Sequence, residues 1–140
     1  VDANAVFAIH CAATFAMCGL IWFVQIVHYP LLSRFSHDGF AESAKAHCDR
    51  TGFIAGPLMV AEAGTLLLLL AGGMRGGLFL TSGALLAIIW LSTFLLQVPA
   101  HRALLRGWDP GAHARLVATN WIRTVCWTLR SAALLAILAK

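Results

Sequence analysis

Glu62, Arg123 and Arg130 are charged side chains set inside apolar stretches of a 140-residue chain, and His28, His47 and His101 stand at or beyond the ends of such stretches. Guanidinium groups bind planar oxygen anions through forked donors, imidazoles exchange protons near neutral pH or ligate metals, and a carboxylate pairs with a cation or acts as an acid or base. A polar group in hydrocarbon is costly, so each must face other helices, a partner or a wet cavity. Two arginines against one carboxylate leave an excess of positive charge. An anionic ligand, an enolate-like intermediate or a partner's carboxylate would balance it.

Spacing sorts these groups by angle and depth. At about 100° per residue, His10, Thr14, Cys18, Gln25 and His28 share one seam of the first span, and Asn120, Arg123, Trp127 and Arg130 share one face of the last. The third span aligns Ser82, Thr93 and Gln97. In the second, Gly52, Ala55, Gly56, Met59 and Ala63 make a small-residue face suited to close helix packing, with Glu62 at its edge. Glu62 and Arg130 both fall about 15 Å deep at 1.5 Å per residue, which predicts an ion pair serving either as structural glue or as part of a site. Nearer the loops, His28, Gln25, Gln97, Asn120 and Arg123 make a second polar layer, and His47, Arg50 and His101 sit at the rim. The expected pocket is roofed by His28 and His101, walled by Trp22 and Trp127, and holds Arg123. Its candidate catalytic groups are His28, Arg123 and Glu62, with Trp22, Gln25, Gln97, Asn120, Trp127 and Arg130 as ligand contacts.

His28, His47 and His101 also suggest a metal site for iron, copper or zinc, with Glu62 as a further ligand, although no Glu-x-x-His or His-x-x-x-His spacing is present. His37 and His113 read as solvent-facing loop residues, and His10 as a packing or interfacial group near the outer surface. The cysteines lack a Cys-x-x-Cys pair; Cys11, Cys18 and Cys126 lie inside spans, Cys48 in the first long loop, and buried thiols read as small apolar fillers.

The elements that must position these groups are four apolar spans: Ala5 to Val27, Phe53 to Ala71, Leu78 to Val98, and Ala118 to Ala139. Each is near the ~20 residues a crossing helix needs. Sixty per cent hydrophobic residues, 11% charged residues and a mean hydropathy of +0.81 agree. The fold expected is a single-domain, all-α integral membrane protein: a four-transmembrane-helix bundle with a short interfacial helix, Ser36 to Arg50, between helices 1 and 2. Helices 2 and 3 form a tight hairpin over Gly72 to Gly77, and Trp108 is placed as an interfacial anchor beside a turn at Asp109 and Pro110. The first span has no basic flank and an apolar run too long for a secretory signal, so it reads as a retained helix. Arg34, Lys45 and Arg50, with Arg102, Arg106 and Arg115, outnumber Arg75 and Lys140 on the other side. That bias predicts two cytoplasmic loops and two outside termini in a bacterial cytoplasmic membrane. The net charge of +4 carries no basic cluster beyond this bias, so the partner expected is the lipid bilayer and nucleic acid is not.

The string Trp22, Gln25, His28, Tyr29, Pro30, the segment Pro57 to Glu62, and the string Asn120, Trp121, Arg123, Thr124, Trp127, Arg130 resemble those of small four-helix bacterial membrane proteins of unknown function. More loosely, the chain resembles the anthrone-oxygenase-like group. That resemblance implies oxidation of an aromatic or quinone-like substrate within the membrane. The residues themselves leave three classes open: an oxidoreductase-like or oxygenase-like enzyme, a noncatalytic accessory subunit of a larger energy-converting or photosynthetic membrane complex, and a small transporter. In the subunit class the bundle would hold a quinone, pigment or lipid, or form a homo-oligomer. Transport ranks last, because Glu62 has Arg130 at its own depth and so lacks the free carboxylate that proton coupling would use.

Overall fold

The computed structural model describes residues 2–36 and 38–140. Four helices are long and apolar enough to cross a membrane: α1 (Ala3–Leu32), α2 (Phe40–Ala71), α3 (Gly77–Leu104) and α4 (Pro110–Leu138). There is no strand among the described residues, and the chain is an all-α membrane bundle. Large apolar side chains such as Phe53, Leu67 and Leu95 point outward, as a lipid-facing surface requires.

Local signals set the helix ends. Asp2 and Asp109 cap α1 and α4, accepting from Asn4 N and Ala112 N at 3.0 and 2.9 Å, and Pro110 occupies the first turn of α4, where its missing N–H costs nothing. Gly73, at φ +92°, makes the turn between α2 and α3 that a residue with a Cβ resists.

Two helices are irregular. α1 carries a π-helical turn at Val24–His28, just before Pro30, and α3 carries one at Thr93–Gln97, just before Pro99. A proline lacks the N–H for the carbonyl one turn back and clashes with it. One wide turn absorbs both defects and advances the residues beyond it around the helix axis. The spacing did not predict these turns.

The expected short helix over Ser36 to Arg50 is corrected by the structure. Residues from Phe40 onward are helical, but as the first turns of the continuous α2, which runs through Gly52, Gly56 and Pro57 to Ala71. Glycine and proline are tolerated in membrane helices, where surrounding groups satisfy the freed backbone. His37 lies outside the described residues. Trp108 packs edge-on against Phe40 at 5.1 Å and beside His113 at 5.0 Å, so it closes the loop end of the bundle.

α2 packs chiefly on α1, α3 on α4, and α1 on α4 between them. α2 and α3 are sequential but touch sparsely. The expected tight hairpin holds at the Gly72–Gly76 turn, and the two helices meet again at the loop end, where Cys48 Sγ lies 3.5 Å from His101 Nδ1. Apolar clusters fill the bundle in three layers, represented by Val6, Phe79 and Leu134, by Met17, Ile89 and Trp127, and by Tyr29, Phe40, Leu104 and Leu116.

Candidate functional site

Glu62 and Arg130 form a fully buried ion pair across the bundle. Every helix contributes to it. Trp127 Nε1 donates to both Glu62 oxygens at 3.2 and 3.1 Å, and Arg130 Nε donates to the Ser82 carbonyl and hydroxyl at 3.1 and 3.3 Å. Arg130 Nη2 lies 3.4 Å from His10 Nε2, and His10 Nδ1 lies 2.9 Å from Thr65 Oγ1. With the guanidinium donating to Nε2, the imidazole proton sits on Nδ1 and goes to Thr65, whose hydroxyl donates to Ala61 O at 2.6 Å. His10 is thus a buried member of this node, not an isolated group near the surface. The node satisfies its own charges and fixes the register of four helices. Glu62 and Arg130 do not line the cavity described below.

Toward the loop end, Arg123 is held differently. Its Nε and Nη2 donate to Asn120 Oδ1 at 2.9 and 2.6 Å, and Nη1 donates to Thr93 Oγ1 at 3.3 Å. Asn120 in turn donates to Gln25 Oε1 at 2.7 Å, and Gln25 Nε2 donates to Val117 O at 3.2 Å. Gln25 and Asn120 are therefore supports behind Arg123, while Gln97 donates to Thr119 at 2.7 Å and ties α3 to α4. These three lie outside the cavity lining. Arg123 has no acidic partner among the described residues, and its bonds leave part of the five-donor guanidinium fork uncommitted.

That guanidinium opens onto a cavity of about 380 Å³ between α1, α2, α3 and α4. Met17, Ile21, Met59 and Trp127 form its apolar body. Gly52, Ala55 and Gly56 form the α2 wall, and a Cβ placed on Gly52 or Gly56 would meet nothing within 4 Å. The small-residue face of α2 expected to pack closely on another helix instead makes room for the cavity. Tyr29, His47, Cys48, Thr93 and His101 make the polar end, and exposed Arg102 and Leu105 stand at the mouth. The lining includes two arginines and no carboxylate among the described residues.

The structure brings the three rim histidines together. His28 stacks face to face on His47 at 3.9 Å, and the His47 and His101 rings are 5.7 Å apart. No three His, Cys, Asp or Glu side chains are arranged to hold a metal ion among the described residues. The stacking turns the in-plane lone pairs of His28 and His47 away from a common point, His47 Nδ1 meets Thr51 Oγ1 at 3.0 Å, and His101 uses Nε2 on Tyr29 and Nδ1 on Cys48. The metal site expected from His28, His47 and His101, with Glu62 as a fourth ligand, is not what this geometry presents. Glu62 is committed to Arg130.

Two pocket assignments are corrected. Trp22 is 40% exposed on the outer surface, donates to Thr128 Oγ1 at 3.0 Å and meets Trp121 edge-on, because its wheel position is a full residue step from buried Ile21. His28 stands behind His47 and does not line the cavity, whereas Trp127 and His101 do. His113, expected in a loop facing solvent, lies on α4 with Nε2 2.8 Å from Tyr29 O. Sequence reasoning missed Tyr29 and Cys48 as site groups. Tyr29 directly follows His28, and Cys48 directly follows His47, so adjacency to a candidate residue was the available signal.

No protein-family model, curated protein sequence or solved structure matches the chain.

Proposed function

We propose that this integral membrane protein binds a ring-sized, oxygen-bearing hydrophobic molecule, aromatic or quinone-like, in the cavity beside Arg123, and that it acts there as a membrane enzyme. The observation that carries this reading is an arginine without an acidic partner among the described residues, held by Asn120 and Thr93 at the end of an apolar cavity of about 380 Å³. That volume falls within the range of ordinary ligand sites, whose pattern is an apolar body with a few convergent polar groups. Arg123 pairs with a carbonyl or phenolate oxygen, and Trp127 supplies a flat wall. Tyr29 and His101 stand at the polar end of the cavity, where His28 had been expected. The anthrone-oxygenase-like resemblance implies oxidation of such a ring. The gap between α2 and α3 gives a lipid-dissolved molecule lateral access.

In this reading Glu62 and Arg130 are structural. The basic residues Arg34, Lys45, Arg50, Arg102, Arg106 and Arg115 all lie toward the cavity end, which supports a cytoplasmic placement for it in a bacterial cytoplasmic membrane, with both termini outside. The test is retention of tetramethyl-1,4-benzoquinone by nanodiscs that carry the protein, compared with empty nanodiscs. Near-stoichiometric retention that disappears in Gly56→Leu supports the reading; retention equal to that of empty discs overturns it.

A second reading rests on the outer surface. Trp22 and Trp121, 40% and 42% exposed, form an aromatic ridge toward the lipid beside the Thr128 hydroxyl. Such a ridge suits packing as an accessory subunit of a larger complex, against a pigment or against a second copy. Photocrosslinking from position 121 in native membranes would give a defined partner band if this reading holds, and lipid adducts alone if it fails.

A further inference from the structure

Cys48, His101 and Tyr29 form a chain along the polar end of the cavity. Cys48 Sγ is 3.5 Å from His101 Nδ1, within reach for a sulfur hydrogen bond, and His101 Nε2 is 3.1 Å from the Tyr29 hydroxyl. The three side chains come from α2, α3 and α1, and all line the cavity. A thiol beside a base, with the base oriented by a third group, is the arrangement of an activated nucleophile. In the tautomer whose Nε2–H donates to the Tyr29 oxygen, Nδ1 is left to accept from the thiol. Cys11 and Cys126 are buried elsewhere, and neither has such a neighbour among the described hydrogen bonds.

We propose that Cys48 is a nucleophile toward electron-poor conjugated carbonyl compounds held in the cavity, with His101 as its base and Tyr29 as a positioning residue. The proposal rests on the reading of the cavity as a ligand site and names the class of molecule that would react there. Cys48 Sγ forms a bond to the β-carbon of the conjugated system as its proton passes to His101 Nδ1. The carbon–carbon π pair moves to the carbonyl oxygen, and the resulting enolate faces Arg123. His101 then returns the proton to the α-carbon. The net change is addition of S–H across one C=C bond, with no other reactant. Arg123 and Arg102 on the lining favour the oxyanion, and no carboxylate is among the described lining residues.

The test is the rate at which N-ethylmaleimide, a small conjugated imide, modifies each cysteine of the full chain in lipid nanodiscs, followed by peptide mass spectrometry across pH. The reference is a Cys48→Ser/Ala55→Cys variant, which carries a thiol farther along the same cavity wall, away from His101. The expected result is labelling of Cys48 about 10²-fold faster than the reference thiol, the usual scale of general-base assistance. His101→Gln removes most of that advantage, and Tyr29→Phe shifts the pH profile of Cys48 without changing that of the reference. Equal rates at the two positions overturn the proposal, as does an undiminished rate in folded His101→Gln. The comparison of Cys48 with position 55 decides the matter even where His101→Gln does not fold. Retention of tetramethyl-1,4-benzoquinone by the unaltered protein separates the two ideas. A protein that retains the quinone but labels Cys48 no faster than position 55 loses only the nucleophile, and one that fails to retain it loses the ligand site.

Discussion

Replacing Arg130 by methionine removes the cation from the buried node and strands the Glu62 carboxylate with only the Trp127 N–H as donor. Breaking a buried pair by removing one partner costs about 3–5 kcal/mol, because the remaining charge stays desolvated. Glu62→Leu should cost a similar amount, since it leaves Arg130 beside the Ser82 and His10 acceptors with its charge uncompensated. The double variant removes both charges and fills the space with apolar groups. Its remaining loss is chiefly the unpaired Trp127 N–H and the polar groups of Ser82 and His10, each roughly 1–3 kcal/mol at most. With those three groups at about 1 kcal/mol each, the two single effects, together about 6–10 kcal/mol, should exceed the double effect by about 3–7 kcal/mol. Ordinary hydrogen bonds between membrane helices average only about 0.6 kcal/mol in such cycles, so the scale separates an ion pair from simple polar contact. The assay is reversible unfolding in mixed micelles of increasing SDS fraction, followed by circular dichroism. Additive single effects, or single effects below about 1 kcal/mol, would refute the reasoning that this pair fixes helix register.

Arg123→Gln should weaken tetramethyl-1,4-benzoquinone retention by roughly ten- to a hundredfold, the scale of one charge-assisted hydrogen bond, with far less loss of stability than Arg130→Met; parallel retention and SDS unfolding measurements check both halves. Gly56→Leu should fold normally, because its Cβ meets open space, yet abolish retention by filling the cavity, and circular dichroism beside the retention assay tests this. Lys45→Ala, which breaks the exposed pair with Asp49, should leave the unfolding midpoint in the same assay unchanged.

Glu62 and Arg130 could be paired from sequence because a helix converts residue count into depth at a fixed rise, and both lie well inside helices that begin at the same side. The face shared by Asn120, Arg123, Trp127 and Arg130 was legible for the same reason, as was the alignment of Ser82, Thr93 and Gln97, although not that this row faces α4. Angle was less secure. The π turns before Pro30 and Pro99 shift every later residue around its axis, so His28 falls behind His47 and His101 takes the place at the cavity. Trp22 was assigned to the pocket by residue type, against its own wheel position. His47 and Cys48 were assigned to a separate surface helix, Ser36 to Arg50, on its amphipathic pattern, whereas α2 runs from Phe40 to Ala71 without a break. Small residues can mean a close helix contact or an unfilled space, and only the positions of α1 and α3 decide which. At Gly52 and Gly56 it is space.

The most direct test of the cavity as a ligand site is photolabelling of the intact protein in nanodiscs with a diazirine-bearing benzoquinone, followed by peptide mapping. The cavity reading predicts labels on Met17, Met59 and the Gly52 to Gly56 wall, suppressed by excess tetramethyl-1,4-benzoquinone and by Gly56→Leu. Labels confined to the Trp22 and Trp121 ridge, indifferent to both, would contradict it.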